Sequence, residues 1–208
     1  MLTIYGKKLL EDLTGLKCLA LIFSCACGVA HAEGARIGLE YESEKDNKTG
    51  MMNNAFTLKP GWEFPKDSLI NLVEVLIDRN RDADADSNGI RAKETKLFIR
   101  LRHSRSFAEN IAYYIRGGVG RSMNNQDDFS YAYVELGLKH EINNRWEWTL
   151  ALREINSIDG TPGQRVTKVI TGPSFSLDKN NELELRHVRG YRDKDVQSWQ
   201  IGYTHKFQ

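Results

Sequence analysis

Trp146-Glu147-Trp148-Thr149-Leu150-Ala151-Leu152-Arg153 is the stretch from which the fold can be read. Alternate residues fall into two sets: Trp146, Trp148, Leu150 and Leu152 on one face, and Glu147, Thr149, Ala151 and Arg153 on the other. Period-two alternation is the mark of a strand with one apolar and one polar face. Tyr131 to Lys139 repeats it, with Ala132, Val134, Leu136 and Leu138 between polar or small partners. So does the C-terminus, where Trp199, Ile201, Tyr203 and Phe207 alternate with Gln200, Gly202, Thr204 and Lys206.

Working outward from these segments, the same reading predicts ten strands. They lie near 35–43, 51–62, 69–79, 90–102, 111–121, 129–141, 146–155, 165–176, 182–190 and 196–207. The third is the least regular, being apolar on both faces for much of its length. Compact connections are expected at Phe64 to Asp67, Arg105 to Glu109, Asn143-Asn144 and Asp178 to Asn181. Longer polar ones are interleaved at 44–50, Asn80 to Gly89, Ser122 to Asp128, Ser157 to Gln164 and Tyr191 to Asp195. Short turns alternating with longer loops are expected of the two ends of a transmembrane barrel. A soluble β-sandwich also alternates, but its outward face is the polar one and its inward face forms the core. Here the polar face carries bulky charged residues at mid-strand, and the apolar face ends in aromatic residues that suit a membrane interface. The expected fold is therefore all-β: a single antiparallel up-and-down barrel of about ten strands, with eight or twelve as the alternatives.

The first 32 residues form a separate unit. Lys7, Lys8 and Lys17 precede an apolar run from Cys18 to Ala30, and Ala30-His31-Ala32 supplies a small-x-small triplet. That order is the secretory signal pattern, and the run is short of the ~20 residues a spanning helix needs. Residues 1–32 are expected to be a cleaved signal peptide and 33–208 the barrel, exported to the outer membrane. The chain has three cysteines, all within the leader, which leaves the barrel without a disulfide or a thiolate site. Of 29 basic and 28 acidic side chains, the leader takes three and two, so the barrel is formally neutral. Neutrality argues against a nucleic-acid partner. A mean hydropathy of -0.50 and 27% charged residues agree with a barrel whose lumen and loops are polar.

Charge at the lipid midplane costs about 2–4 kcal/mol per Arg or Lys, so the charged face of each strand must point inward. If Leu97, Ile99 and Leu101 meet lipid, Lys96, Arg100 and Arg102 face the lumen together. The same phase brings in Arg116, Lys139, Arg153, Lys168 and Lys206, and also Glu40, Glu74, Glu135, Glu147 and Glu184. The candidate solute-contacting set is Lys96, Arg100, Arg102, Arg116, Lys139, Arg153 and Lys168. Arg offers a forked donor pair that matches a carboxylate, and rings of Arg and Lys confer anion selectivity. The plainer reading is that these cations pair with the inward Glu residues and fill the interior. Ten strands stand close to the eight-stranded case in which side chains close the lumen. The residues alone leave both readings open.

The closing strand, Trp199-Gln200-Ile201-Gly202-Tyr203-Thr204-His205-Lys206-Phe207, resembles the C-terminal strand by which outer-membrane barrels are recognised for assembly, with Gln208 following the usual terminal aromatic. More narrowly, the charged strands Lys96-Leu97-Phe98-Ile99-Arg100-Leu101-Arg102, Glu182-Leu183-Glu184-Leu185-Arg186 and Trp146-Glu147-Trp148 resemble those of the oligogalacturonate-specific porin family. The likeness is one of strand style over most of the barrel. It implies a narrow pore with basic tracks in its lumen, although members of that family have twelve strands. It implies as partners outer-membrane lipid, a small anionic solute such as an acidic oligosaccharide, and the barrel assembly machinery acting through the strand that ends at Phe207. The other function class is a non-conducting surface barrel acting in adhesion or resistance through its extracellular loops.

Two further patterns carry less. Asp82-Ala83-Asp84-Ala85-Asp86-Ser87-Asn88-Gly89 has the alternating acids of a calcium loop, but its glycine falls two positions late and it reads as a solvated acidic loop. Beyond the leader the histidines are His103, His140, His187 and His205, with no nucleophile motif beside them. No catalysis, cofactor or metal is expected.

Overall fold

The computed structural model describes residues 34–66, 68–82, 93–124, 128–161, 164–192 and 195–207. The leader lies outside the described residues, as does all but the first residue of the acidic 82–89 loop. Among the described residues every element is a strand: β1 (Ala35–Asp46), β2 (Met52–Glu63), β3 (Leu72–Asp82), β4 (Lys93–Ala108), β5 (Ile111–Asn124), β6 (Phe129–Glu141), β7 (Trp146–Ser157), β8 (Val166–Ser176), β9 (Asn181–Arg192) and β10 (Val196–Lys206). Each pairs antiparallel with its sequence neighbours, and β1 pairs with β10, from Arg36 opposite Lys206 to Asp46 opposite Val196. The sheet closes on itself with no free edge, the condition for a strand structure to stand in lipid.

Several boundaries differ from expectation: β1, β3 and β5 run three residues further, to Asp46, Asp82 and Asn124, and two other differences have a local cause. β3 begins at Leu72, because Asn71 caps the preceding turn: its side-chain amide donates to the carbonyls of Lys66 and Ser68, both at 3.0 Å. The stretch Arg105 to Glu109, expected as a turn, belongs largely to β4, which runs on to Ala108 through a register shift between Ser106 and Ala108. The turn itself is Glu109-Asn110. At Asp178 the carboxylate caps its turn by accepting from the backbone of Asn180 and Asn181 at 2.7 and 2.9 Å. The Asn181 side-chain amide and these backbone donors hold the Asp178 carboxyl below its ordinary range.

Burial follows the alternation. Leu39, Phe56, Ile99, Val119, Val134, Leu136, Leu150, Leu152 and Ile201 stand exposed on the outer wall, while their strand neighbours turn inward. A water-soluble barrel of this size does not present so continuous an apolar wall; it is a lipid-facing belt.

Inside, one expectation needs correction. The interior is not uniformly polar, because apolar and aromatic groups are packed among its charges. Phe98 meets Tyr131 and Tyr133 edge-on with ring centroids 5.9 Å apart, and Tyr114, Ala151, Ile170 and Val188 form a buried cluster. Glycine makes this packing fit. A Cβ on Gly137 would lie 2.2 Å from the Tyr114 ring, which crosses that gap to reach Glu135. Gly137→Ala is expected to displace Tyr114 and cost about 1–3 kcal/mol, as overpacked cores do. The urea midpoint for unfolding from lipid vesicles would measure it.

Candidate functional site: a divided lumen

The short turns and both chain ends mark the periplasmic rim of the barrel, and the longer loops mark the extracellular rim. Among the described residues, a larger and a smaller cavity lie between them. The periplasmic one, about 680 Å³, is bounded by Phe64, Lys66 and Asn143 at the turns and by Arg100, Arg116 and Arg186 at its floor. The extracellular one, about 150 Å³, is lined by Glu42, Asp78, Glu94, Lys96, Tyr131 and Lys168 among others. Arg100 borders both.

The waist between them is built from register. Glu135 on β6 stands opposite Arg116 on β5 and Arg153 on β7, so both guanidiniums converge on one carboxylate. Arg153 Nη2 lies 2.5 Å and Arg116 Nη1 3.3 Å from it, and the Tyr114 hydroxyl donates to it at 2.7 Å. The Arg116 guanidinium also stacks 4.6 Å above the Tyr114 ring. Glu74 on β3 stands opposite Arg100 on β4 and accepts its Nε–H at 2.5 Å, with Arg36 Nε at 3.7 Å. Glu184 pairs with Arg186 at 2.7 Å, and Glu40 pairs with Lys59. Glu74 and Glu135 are 0% and 1% exposed, so water does not reach these two carboxylates in the conformation described. The waist is filled.

All seven cations picked out by strand phase point into the barrel interior. Arg100, Arg102, Arg116 and Lys139 line the periplasmic cavity, and Lys96, Arg100, Arg153 and Lys168 line the extracellular one. Six of them meet carboxylates. Besides the waist pairs, Lys96 meets Glu94 at 2.9 Å, Lys139 meets Glu147 at 2.6 Å and Lys168 meets Glu44 at 3.1 Å. Arg102 is different. It has no ion pair among the described residues, its Nε is buried without a hydrogen-bond partner, and it stands directly opposite Arg116. Like charges opposed across a ladder are unfavourable. Arg36 and Arg116, on the same cavity wall, also have a buried Nε without a hydrogen-bond partner.

Sequence reasoning missed Arg36, Lys59 and Arg186, all of which line that cavity. Arg36 and Arg186 share the phase of Glu40 and Glu184 and could have been found from period two alone. Lys59 lies within the expected second strand, 51–62, and could have been found the same way. The four histidines all fall on the outward phase. Three of them meet aromatic rings: His187 meets Trp199, His205 meets Phe207 edge-on and His103 meets Tyr113, with ring centroids 4.9, 4.7 and 6.1 Å apart.

No protein-family model and no curated protein matches the chain. Solved structures do. An outer membrane channel from Pseudomonas putida F1 has a TM-score of 0.54 at 10% identity, over 85% of this chain and 96% of that one. The beta domain of the Bordetella autotransporter BrkA has a TM-score of 0.50 at 10% identity, over 84% of this chain and 99% of that one. The KdgM porin is also similar, with a TM-score of 0.46 at 9% identity over 82% of this chain and 99% of that one. At such identities the likeness is one of fold. Together with the apolar outer wall it makes this chain a closed, membrane-spanning antiparallel β-barrel.

Proposed function

We propose that this barrel is a narrow outer-membrane channel, closed at rest, that passes small anionic solutes such as acidic oligosaccharides to the periplasm. The observation that carries the reading is the composition of the periplasmic cavity, where eleven basic side chains face five acidic ones. Arg102 is its centre: a guanidinium without a carboxylate, held against Arg116, is relieved by a carboxylate or sulfate arriving in the cavity. Passage requires the waist to part, and the pair that Arg100, which borders both cavities, makes with Glu74 is where it does so.

A second reading has its own observation. The waist is filled, and a filled barrel that never opens acts through its extracellular loops in adhesion or resistance. Single-channel current through the refolded protein in a planar bilayer separates the two. The channel reading expects infrequent anion-selective steps that oligogalacturonate blocks. It also expects a several-fold rise in open time when both waist partners are removed together in Glu74→Ser/Arg100→Ser, and weaker anion selectivity in Arg102→Gln. Silence from both the folded wild type and the folded double variant would establish the closed barrel instead.

A further inference from the structure

The two ends of the barrel's outer wall differ in charge, although exposed aromatics, Tyr191 and Trp199, stand near the extracellular end too. Near the periplasmic rim the wall is aromatic: Trp146 packs on Phe175 with ring centroids 4.8 Å apart, and Trp148, Tyr203 and Phe207 stand exposed beside them. Near the extracellular rim the outward positions carry cations. Lys45, Arg79, Arg121 and Arg189 all lie close to the outer ends of their strands β1, β3, β5 and β9, and Arg165 and Arg192 flank the ends of β8 and β9. They are spread around the circumference.

Among the described residues, the carboxylates that meet these outward cations are shared or exposed. Arg121 meets Asp128 at 3.3 Å with both side chains largely exposed, and Arg189 meets Asp195 at 2.9 Å. Arg165 and Arg192 divide one carboxylate, Glu154, at 2.9 and 2.6 Å. Arg79 and Lys45 are exposed and have no ion pair among the described residues. Among the described residues, these six outward cations thus meet only three carboxylates, Asp128, Glu154 and Asp195. Exposed pairs of this kind contribute little and exchange readily for a better anion.

We infer that this outward basic ring binds the phosphate groups of the outer-leaflet glycolipid, a lipid A-type molecule, and so anchors the barrel to that leaflet. Cations beside a membrane span bind anionic lipid headgroups, and a guanidinium fork matches a phosphate bidentately. Arg79 and Lys45 meet the phosphate directly, while Arg121, Arg189 and the Arg165–Arg192 pair reach it by turning from their exposed carboxylates. The aromatic rim opposite sits at the other interface, where aromatic side chains settle without a phosphate partner.

The test compares refolded wild-type protein with Arg79→Gln/Arg121→Gln/Arg189→Gln, by native mass spectrometry in detergent with added diphosphoryl lipid A or its dephosphorylated form. Wild type is expected to retain the phosphorylated lipid at least tenfold more than the dephosphorylated one. The triple variant should lose that preference, and Arg102→Gln, whose change lies inside the barrel, should keep it. Arg79→Gln alone, which removes a side chain with no ion pair, should weaken the preference and covers the case in which the triple variant does not fold. Equal retention of the two lipids by wild type overturns the inference, and so does a preference unchanged in the folded Arg79 variant. Retention of inorganic phosphate that Arg102→Gln abolishes and the rim variants leave intact would assign the anion site to the lumen and overturn it as well.

Discussion

Replacing Glu135 with alanine is expected to cost the folded barrel about 3–5 kcal/mol, the usual penalty for removing one partner of a buried ion pair. Glu135 is 1% exposed and holds Arg116, Arg153 and the Tyr114 hydroxyl at once. Without it two guanidiniums remain in the waist with no carboxylate between them. Their mutual repulsion and lost solvation, rather than the missing contacts, dominate the cost. A triple variant that replaces Glu135, Arg116 and Arg153 with apolar residues of similar volume should therefore be less destabilised than the single one. Urea unfolding from lipid vesicles, followed by tryptophan fluorescence, gives both values. A loss below about 1 kcal/mol for Glu135→Ala would mean that water screens the waist, since ion pairs in water are worth that little. The lumen would then be hydrated through its length, and the closed-at-rest picture would fail.

The second large effect lies on the other side of the wall. Leu152 sits mid-strand on β7, 51% exposed, and Asn156 lies further along the same face near the extracellular end. Leu152→Arg is expected to destabilise the vesicle-inserted barrel by about 2–4 kcal/mol, and Asn156→Arg by only about 0–1 kcal/mol, because the cost of a cation falls from the bilayer midplane to its interface. In detergent-free water an exposed position gives no such gradient; surface substitutions there stay within about 0.5 kcal/mol of each other. Equal values for the two variants would contradict the lipid-facing assignment of the outer wall.

Both experiments separate what is local in this protein from what is not. The direction in which Lys96, Arg100, Arg102, Arg116, Lys139, Arg153 and Lys168 point was legible from residue to residue, because a strand offers only two faces and one of them must be apolar. The same logic reached Glu74 and Glu135 and covered Arg36 and Arg186 without naming them. Strand ends were less legible where a side chain overrides the pattern: Asn71 draws the preceding turn around itself, and a register shift carries β4 past Arg105.

Sequence by itself thus determined the strand count, the alternation, the outward apolar wall and the membrane setting, since each rests on the chemistry of neighbours two residues apart. Only the tertiary structure decided whether the lumen is open. That depends on which charge stands opposite which across the ladder, as Glu135 does between Arg116 and Arg153, and on a missing Cβ at Gly137 that lets Tyr114 cross the gap. Those pairings are set by the register of strands far apart in the chain, and no period within a single strand encodes them.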